Sequence, residues 1–211
     1  MKRCVIIGGG EIKNIQYVKN LIKDDDFIIA ADRGYEYCKN MGISPNLLLG
    51  DFDSYNGEFL DDCPVVKFPV EKDDTDTMLA IKTAIQKGFK DLMLLGMCGG
   101  RFDHSFANIQ SIVFAAKNNV KACIIDEDLF ISAISGEDEI IIPYQKDFVL
   151  SVFAYSERCE GVCLKNLFYP LENGVLENSF PLGVSNHFID GKDAFVSLKS
   201  GMALIICTKE I

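Results

Sequence analysis

Residues 3–22, "RCVIIGGGEIKNIQYVKNLI", contain a short apolar run, three glycines and a helical pattern in direct succession. The run "RCVII" is typical of a buried β-strand, and Gly8, Gly9 and Gly10 end it. The apolar residues that follow recur at the spacing of one helix face; they are Ile12, Ile15, Val18 and Ile22. The stretch therefore predicts a strand, a turn and a helix, which together form one β-α unit.

The same alternation continues through about residue 125. Further strand-like runs are "DFIIAAD" (26–32), "NLLLGDFDS" (46–54), "VVKFP" (65–69), "DLMLLG" (91–96) and "VKACIID" (120–126). Helical patterns occupy residues 35–42, 76–88 and 105–118, and Gly42 and Gly88 are predicted helix ends. Apolar runs of this kind favour a parallel sheet that is covered on both faces. We therefore predict an α/β domain with a mostly parallel sheet over residues 1–128.

From about Ser132 the pattern changes to strands alone. The strand-like runs are "FVLSVFAYS" (148–156), "EGVCLKNLFYPL" (160–171), "AFVSLKSG" (194–201) and "MALIICTK" (202–209). Turn signals such as "ENG" and "DGKD" separate them, and no segment has a convincing helical period. We predict a C-terminal all-β sandwich or barrel over residues 132–211, joined to the first domain near residues 126–139.

The composition argues against several classes of protein. The chain has 211 residues and a formal net charge of −10, whereas a nucleic-acid binder needs a basic face. The N-terminal apolar run is too short for a signal peptide, and no segment is long enough to span a bilayer. The eight cysteines are scattered without a C-x-x-C pair, which favours reduced thiols. We therefore expect a cytoplasmic protein with no nucleic-acid or membrane partner.

Polar residues follow four of the predicted strands in the first domain. They are Asp32; Asp51 and Asp53; Asp73, Asp74 and Asp76; and Arg101, Asp103 and His104. In open α/β sheets, ligands bind beyond the carboxyl ends of the strands, so these groups are predicted to meet at one rim.

The density of carboxylates at this rim predicts a cation. Asp51 and Asp53 are two residues apart on an extended segment and therefore point the same way, with backbones roughly 6–7 Å apart. Such a pair repels by roughly 2–3 kcal/mol at an effective dielectric constant near 20. A helix cap stabilises by only about 1 kcal/mol, which does not offset this repulsion. For any single aspartate, however, a cap or a solvated loop explains the residue equally well. Taken together, the cluster favours Mg²⁺, which binds carboxylates and substrate phosphates.

Several residues are candidates for binding phosphate. Gly99, Gly100 and Arg101 combine free amides with a guanidinium that can chelate phosphate oxygens. Residues 8–10 complete neither standard nucleotide loop, so they are either a phosphate-binding turn or a plain tight turn. His104 is a phosphate contact or a helix-start residue, and Lys72 is a phosphate ligand or a surface charge.

The chain resembles the thiamine pyrophosphokinase family in five motifs that occur in the family's order. They are "AADRG" (30–34), "LGDFDS" (49–54), "KDDTDTMLAI" (72–81), "GGRFDHSFANI" (99–109) and "GVSNHF" (183–188). "GDFDS" alone is a weak signal, but the ordered set spans nearly the whole chain and is specific. The resemblance implies an N-terminal domain for ATP and Mg²⁺, a β-sandwich for thiamine, and a homodimer with active sites at the subunit interface. It also implies transfer of pyrophosphate from ATP to the thiamine hydroxyl, with release of AMP.

The resemblance also implies roles for individual residues. The implied Mg²⁺ ligands are Asp51, Asp53 and Asp76, and with Asp73 they form the implied catalytic set, in which Asp76 is one candidate for deprotonating the hydroxyl. The implied nucleotide-site residues are Asp32, Lys72, Arg101, Asp103 and His104. Ser185 and Asn186 are implied to contact thiamine, from the partner subunit.

Two features depart from the family pattern. Arg33 stands where many members carry glycine, so the turn at this position is expected to differ. The sequence contains no Trp, so the aromatic residue that often stacks on thiamine would be replaced by Phe168 or Tyr169.

Two other functions remain open from the residues. "LLLGDFDSY" (47–55) is similar to the D-x-D strand end of haloacid-dehalogenase-like phosphatases, but Tyr55 and a preceding glycine do not fit that pattern. A non-enzymatic acidic protein that binds metal or nucleotide would need only the carboxylates. That hypothesis leaves Arg101, the glycines and the second domain unexplained.

Overall fold

The computed structural model of the chain describes residues 2–50, 63–67 and 74–210. The chain folds into two compact units: unit 1 comprises residues 1–115 and 122–127, and unit 2 comprises residues 116–121 and 128–211. None of the helices in the described ranges is long and apolar enough to cross a membrane. All eight cysteines are free thiols.

The first part of the chain alternates strands and helices, as the sequence predicts. The elements are β1 (Cys4–Ile7), α1 (Ile15–Leu21), β2 (Phe27–Ala31), α2 (Gly34–Met41), β3 (Leu47–Gly50), β4 (Val65–Lys67), α3 (Asp76–Gln86), β5 (Asp91–Leu95), α4 (Phe102–Lys117) and β6 (Lys121–Asp126). Gly42 follows α2 with a left-handed φ of 67°, and Gly88 lies just after α3 with a φ of 88°. Both predicted helix stops are therefore confirmed, because glycine adopts this conformation without a steric penalty.

The strands of unit 1 are arranged in the order β6-β5-β1-β2-β3-β4. β1 pairs in parallel with both β2 and β5, and the pairs β2-β3 and β3-β4 are also parallel. Every residue of β1 and β3 is buried, which is why these runs are apolar throughout rather than alternating. The chain moves outward from β1 to β4 and returns on the other side of β1 as β5, so the strand order reverses at β1.

The second part of the chain consists of strands. They are β7 (Leu129–Ser135), β8 (Asp138–Ile142), β9 (Phe148–Ala154), β10 (Arg158–Lys165), β11 (Leu171–Glu177), β12 (Gly183–His187), β13 (Ala194–Leu198) and β14 (Met202–Lys209). Unit 2 contains two antiparallel layers, ordered β12-β9-β14-β7 and β11-β10-β13-β8. Buried side chains from both layers share one core, which defines a sandwich.

The predicted fold class is confirmed, with one local correction. The sequence predicts a connection between the two halves at residues 126–139, but residues 129–135 within it form strand β7, which pairs with β14 along its whole length. The run "LFISAIS" is apolar enough for a buried strand. Its pairing partner, β14, is distant in the sequence, so the residues near the run do not indicate this pairing.

Candidate active site

A cavity of about 890 Å³ lies in unit 1 at the carboxyl ends of β1, β2 and β5. Its lining includes residues 8–11, 31–33 and 75–77, the turn after β5 and the start of α4. The strand order reverses at β1, and α/β sheets bind ligands outside the carboxyl ends of the strands at such a point. Another cavity, of about 580 Å³ in unit 2, lies beside β7 and β8 and includes none of the predicted site residues.

Two glycine turns that are hydrogen-bonded to each other line the larger cavity. The amide of Gly10 donates to the carbonyl of Gly96 at 2.8 Å, and the amide of Glu11 donates to Cys98 O at 3.1 Å. A Cβ on Gly10 would lie 2.6 Å from Gly96 O, so only glycine permits this approach. Because these amides are already used within the protein, the first glycine turn has the geometry of a tight packing turn.

Asp32 lines the cavity directly after β2, as the strand-end argument predicts. Its φ is +48°, a left-handed conformation that Asp tolerates better than most residues, and its amide donates to Leu49 O at 2.8 Å. The next turn depends on Gly34, where a Cβ would lie 1.9 Å from Ile7 O. Helix α2 therefore starts directly against β1, and this contact fixes the position of Asp32.

The aspartates before α3 have different environments. Thr75 caps the helix, since its hydroxyl accepts a hydrogen bond from the amide of Met78 at 3.2 Å. Asp74 is bound by the ammonium of Lys82 at 2.7 and 2.8 Å. Asp76 begins α3, is half-buried and lines the cavity with Asp32. Capping is therefore performed by Thr75, and Asp76 is the aspartate of this group that the described structure brings to the cavity.

Arg101, Asp103 and His104 also line the cavity, around the start of α4. Arg101 donates from Nε and Nη2 to the two carboxylate oxygens of Asp103, at 3.1 and 2.5 Å. These hydrogen bonds hold the pKa of Asp103 below its usual range and raise the pKa of Arg101. Both side chains are more than 60% exposed, at 73% and 63%, so an incoming phosphate can compete for the guanidinium.

Four of the predicted residues lie outside the described part of the chain. They are Asp51, Asp53, Lys72 and Asp73. Within residues 2–50, 63–67 and 74–210, no three His, Cys, Asp or Glu side chains form a group that could hold a metal ion. The cavity does contain the carboxylates of Asp32 and Asp76, and oxygen donors of this type suit a hard cation such as Mg²⁺.

The two predicted thiamine residues are neighbours on β12 in unit 2 but differ in exposure. The pairing of β12 with β9 is irregular between Gly183 and Asn186, and Ser185 there has a φ of +54° and an exposed side chain. Asn186 is only 5% exposed. Its Oδ1 accepts from the amide of Tyr169 at 2.9 Å, and its Nδ2 donates to Tyr169 O at 2.7 Å. Asn186 therefore holds the backbone of Tyr169, whose side chain is 71% exposed.

The sequence does not mark every residue of the cavity lining as a site candidate; Asn108 and Arg33 are two examples. Asn108 lies one helical turn after His104 on α4, and its side chain donates to Met97 O at 2.7 Å. The i, i+4 spacing within "GGRFDHSFANI" was the available signal. The sequence marks Arg33 only as a departure from the family pattern, yet Arg33 also lines the cavity.

Family models match both halves of the chain. The family model described as "Thiamin pyrophosphokinase, catalytic domain" matches residues 18–124, just over half of the chain. The model described as "Thiamin pyrophosphokinase, vitamin B1 binding domain" matches residues 139–203. The chain belongs to the thiamine pyrophosphokinase family.

Individual relatives in the thiamine pyrophosphokinase family match along nearly the full chain. The chain is 29% identical to thiamine pyrophosphokinase from Bacillus subtilis, over 98% of both chains. It is 25% identical to thiamin pyrophosphokinase 1 from Caenorhabditis elegans, over 96% of this chain and 86% of that protein. The crystal structure of thiamine pyrophosphokinase from Bacillus subtilis has a TM-score of 0.89 and 26% identity, over 100% of both chains.

The predicted thiamine pyrophosphokinase family is therefore confirmed, together with the fold class. Membership supports an enzyme that makes thiamine diphosphate from thiamine, and it does not favour the phosphatase or the non-enzymatic alternative.

Proposed function

We propose that this protein transfers the terminal pyrophosphate of ATP to the hydroxyl group of thiamine. The observation that carries the proposal is the cavity at the strand-order reversal, where the carboxylates of Asp32 and Asp76 and the guanidinium of Arg101 line one space in a member of this family. Carboxylates beside a guanidinium suit a phosphate chain with its cation. In this proposal unit 1 binds ATP and unit 2 contributes the thiamine site.

In the proposed reaction, the oxygen of the thiamine hydroxyl attacks the β-phosphorus of ATP. The bond between the β-phosphorus and the α–β bridging oxygen breaks, AMP leaves, and the hydroxyl proton passes to a carboxylate, for which Asp76 is a candidate. Such transfer depends on positioning and on offsetting charge rather than on a covalent intermediate. Arg101, with His104 and Lys72, would bind phosphate oxygens, and Asp103 would orient Arg101.

We further propose that Asp51, Asp53 and Asp76 hold Mg²⁺, with Asp32 and Asp73 close by. When bound, Mg²⁺ would offset the charge of the phosphate chain. The oxygen donors of Asp32 and Asp76 at the cavity support this assignment, and Asp51 and Asp53 enter it through the motif "LGDFDS".

The protein is further proposed to be a cytoplasmic homodimer, in which Ser185 of one subunit contacts thiamine bound at the other. Exposed apolar side chains of unit 2 support a subunit contact. The residues are Phe168, Tyr169, Phe180, Leu182 and Val184, which are 46–71% exposed. Sedimentation equilibrium tests this part of the proposal, and a monomer at micromolar concentration would contradict it.

The reaction itself is tested by separating the nucleotides after incubation with ATP, Mg²⁺ and thiamine. We expect AMP and thiamine diphosphate in equal amounts, little AMP without thiamine, and none with excess EDTA. Formation of ADP, or phosphate release that does not depend on thiamine, would overturn the proposal.

The carboxylate assignment is tested with two aspartates from the same segment. Asp76→Asn is expected to lower kcat by about 100-fold or more, the scale of removing one preorganised electrostatic group. Asp74→Asn is the matched control, because Asp74 is bound by Lys82, so kcat should stay within about threefold of the wild type. Equal losses of kcat in the two variants would show that the total negative charge of the segment matters, rather than the position of Asp76.

A further inference from the structure

Arg33 lies in the turn between β2 and α2 and lines the cavity of unit 1. Its backbone has φ −60° and ψ −12°, ordinary helical values, so the turn does not need glycine at this position. Arginine therefore adopts the backbone conformation at this position without strain. What the arginine changes is the cavity, because its side chain adds a guanidinium group to the lining.

The space for the Arg33 side chain is provided by Gly9. A Cβ built on Gly9 would lie 2.9 Å from the Cβ of Arg33, closer than such atoms approach in proteins. Gly9 belongs to the glycine turn after β1, whereas Arg33 follows β2. Glycine at position 9 therefore leaves room for a residue with a Cβ, here arginine, at position 33.

The described cavity lining contains more carboxylates than guanidiniums. Its carboxylates are those of Glu11, Asp32, Asp76 and Asp103, and its guanidiniums are those of Arg33 and Arg101. Arg101 is bound through both carboxylate oxygens of Asp103. Among the residues that the structure describes, the guanidinium of Arg33 forms no hydrogen bond or ion pair, and it is solvent-exposed. A triphosphate entering this cavity therefore finds Arg33 already available, whereas it must displace Asp103 from Arg101.

We propose that Arg33 binds the β- and γ-phosphate oxygens of the nucleotide, and that Gly9 is a positioning residue that leaves room for the Arg33 side chain. The inference rests on the proposed function, since it takes the ligand of the cavity to be ATP. A guanidinium presents paired donors that match two phosphate oxygens, which an ammonium cannot do. Arg33 thereby adds positive charge to a described lining that contains four carboxylates and two guanidiniums.

The first test measures ATP binding by calorimetry with Mg²⁺ and without thiamine. Arg33→Gln is expected to weaken ATP binding about 10- to 100-fold, the range for a lost charge-assisted contact. AMP, which lacks the β- and γ-phosphates, should bind within about threefold of the wild type. Arg33→Lys should recover part of the loss. Lys39→Gln on the same helix removes one positive charge outside the cavity lining and should leave ATP binding unchanged.

The second test asks whether the effects of substitutions at positions 9 and 33 on ATP binding depend on each other. Gly9→Ala should also weaken ATP binding, because the added methyl group meets the Cβ of Arg33, shifts the turn that carries it and so redirects the guanidinium. Adding Gly9→Ala to Arg33→Gly, which lacks both the guanidinium and the Cβ that the methyl group would meet, should then have little further effect on ATP binding, whereas independent roles would give additive losses. In steady-state assays, the KM for ATP should rise and the KM for thiamine should not.

The inference would be overturned if Arg33→Gln bound ATP as tightly as Lys39→Gln, or if it lost ATP and AMP equally. Additive losses in the double variant would overturn the role of Gly9. These results are distinct from failure of the proposed function, in which the wild-type protein itself would not produce AMP and thiamine diphosphate.

Discussion

The cavity of unit 1 and strand β12 of unit 2 both carry polar residues of the family motifs, but the two regions use these side chains differently. In the cavity, Arg33 and Arg101 are exposed, and the carboxylate that binds Arg101 is itself exposed. On β12, the amide of Asn186 is buried and both of its polar atoms are bound to Tyr169. Hydrogen bonding and exposure therefore separate the motif residues whose polar groups are open to solvent from those whose polar groups are bound within the protein.

The largest expected effect concerns the backbone that supports the cavity. Gly34→Ala would place a Cβ 1.9 Å from Ile7 O, so β1 and α2 must separate. We expect a loss of more than about 4 kcal/mol in the free energy of unfolding, with loss of soluble protein and of turnover. Gly42→Ala is the control: nothing lies within 4 Å, and its left-handed φ should cost only about 1 kcal/mol. Urea midpoints and soluble yields measure both. A Gly34→Ala protein of normal stability would mean that this contact relaxes easily.

A smaller effect on stability is expected when the loss of a buried ion pair is compared with the loss of an exposed one. Asp26 is bound by Arg3 at 2.6 and 3.0 Å and by the amide of Lys23 at 2.8 Å. Burial acts to raise the pKa of Asp26, but the hydrogen bonds from Arg3 and Lys23 outweigh it and lower the pKa. The stabilisation is therefore present above the unfolded-state pKa of about 3.9 and is lost as the pH falls through the lower folded-state pKa.

The measurement is the urea midpoint at neutral and acidic pH. Asp26→Asn should cost about 1.5–3 kcal/mol at pH 7, and its deficit should shrink in acid. Asp103→Asn, which removes the exposed partner of Arg101, should leave the midpoint unchanged at each pH. An unchanged midpoint for Asp26→Asn at pH 7 would contradict the assigned role of the buried pair.

The smallest expected effect distinguishes the roles of two neighbouring residues on β12, Ser185 and Asn186. Asn186→Ala leaves both peptide groups of Tyr169 without their partner, so the protein should lose about 1–2 kcal/mol of stability and the KM for thiamine should rise about tenfold. Ser185→Ala removes an exposed hydroxyl and should alter the KM for thiamine without changing the unfolding midpoint. If Asn186→Ala changed the KM but not the midpoint, Asn186 would act as a direct ligand contact instead.

Much of the fold could be predicted because its signals are local. The strands of unit 1 are continuous apolar runs, and glycines end α2 and α3 at the predicted positions. The gathering of Asp32, Asp76 and Arg101 could also be predicted, because the carboxyl ends of parallel strands meet at one edge of a sheet.

The remainder depends on partners that are distant in the sequence. Asp74 is bound by a lysine eight residues later, and Asn186 by a backbone seventeen residues earlier. The letters "SN" in the motif do not reveal that an irregular strand exposes Ser185 and buries Asn186. Strand β7 likewise depends on β14, which lies at the other end of its domain.

The interlocked glycine turns that line the cavity also limit how this protein can evolve. A Cβ on Gly10 would meet the carbonyl of Gly96, and one on Gly96 would meet the carbonyl of Gly8 at 2.8 Å. Every residue carries such a carbonyl, so no second mutation in a side chain can relieve either clash. The architecture therefore requires glycine at these positions, whatever the chemistry of the cavity. A descendant that lost catalysis but kept the fold would still carry them, and their presence in a related sequence is evidence of fold rather than of activity.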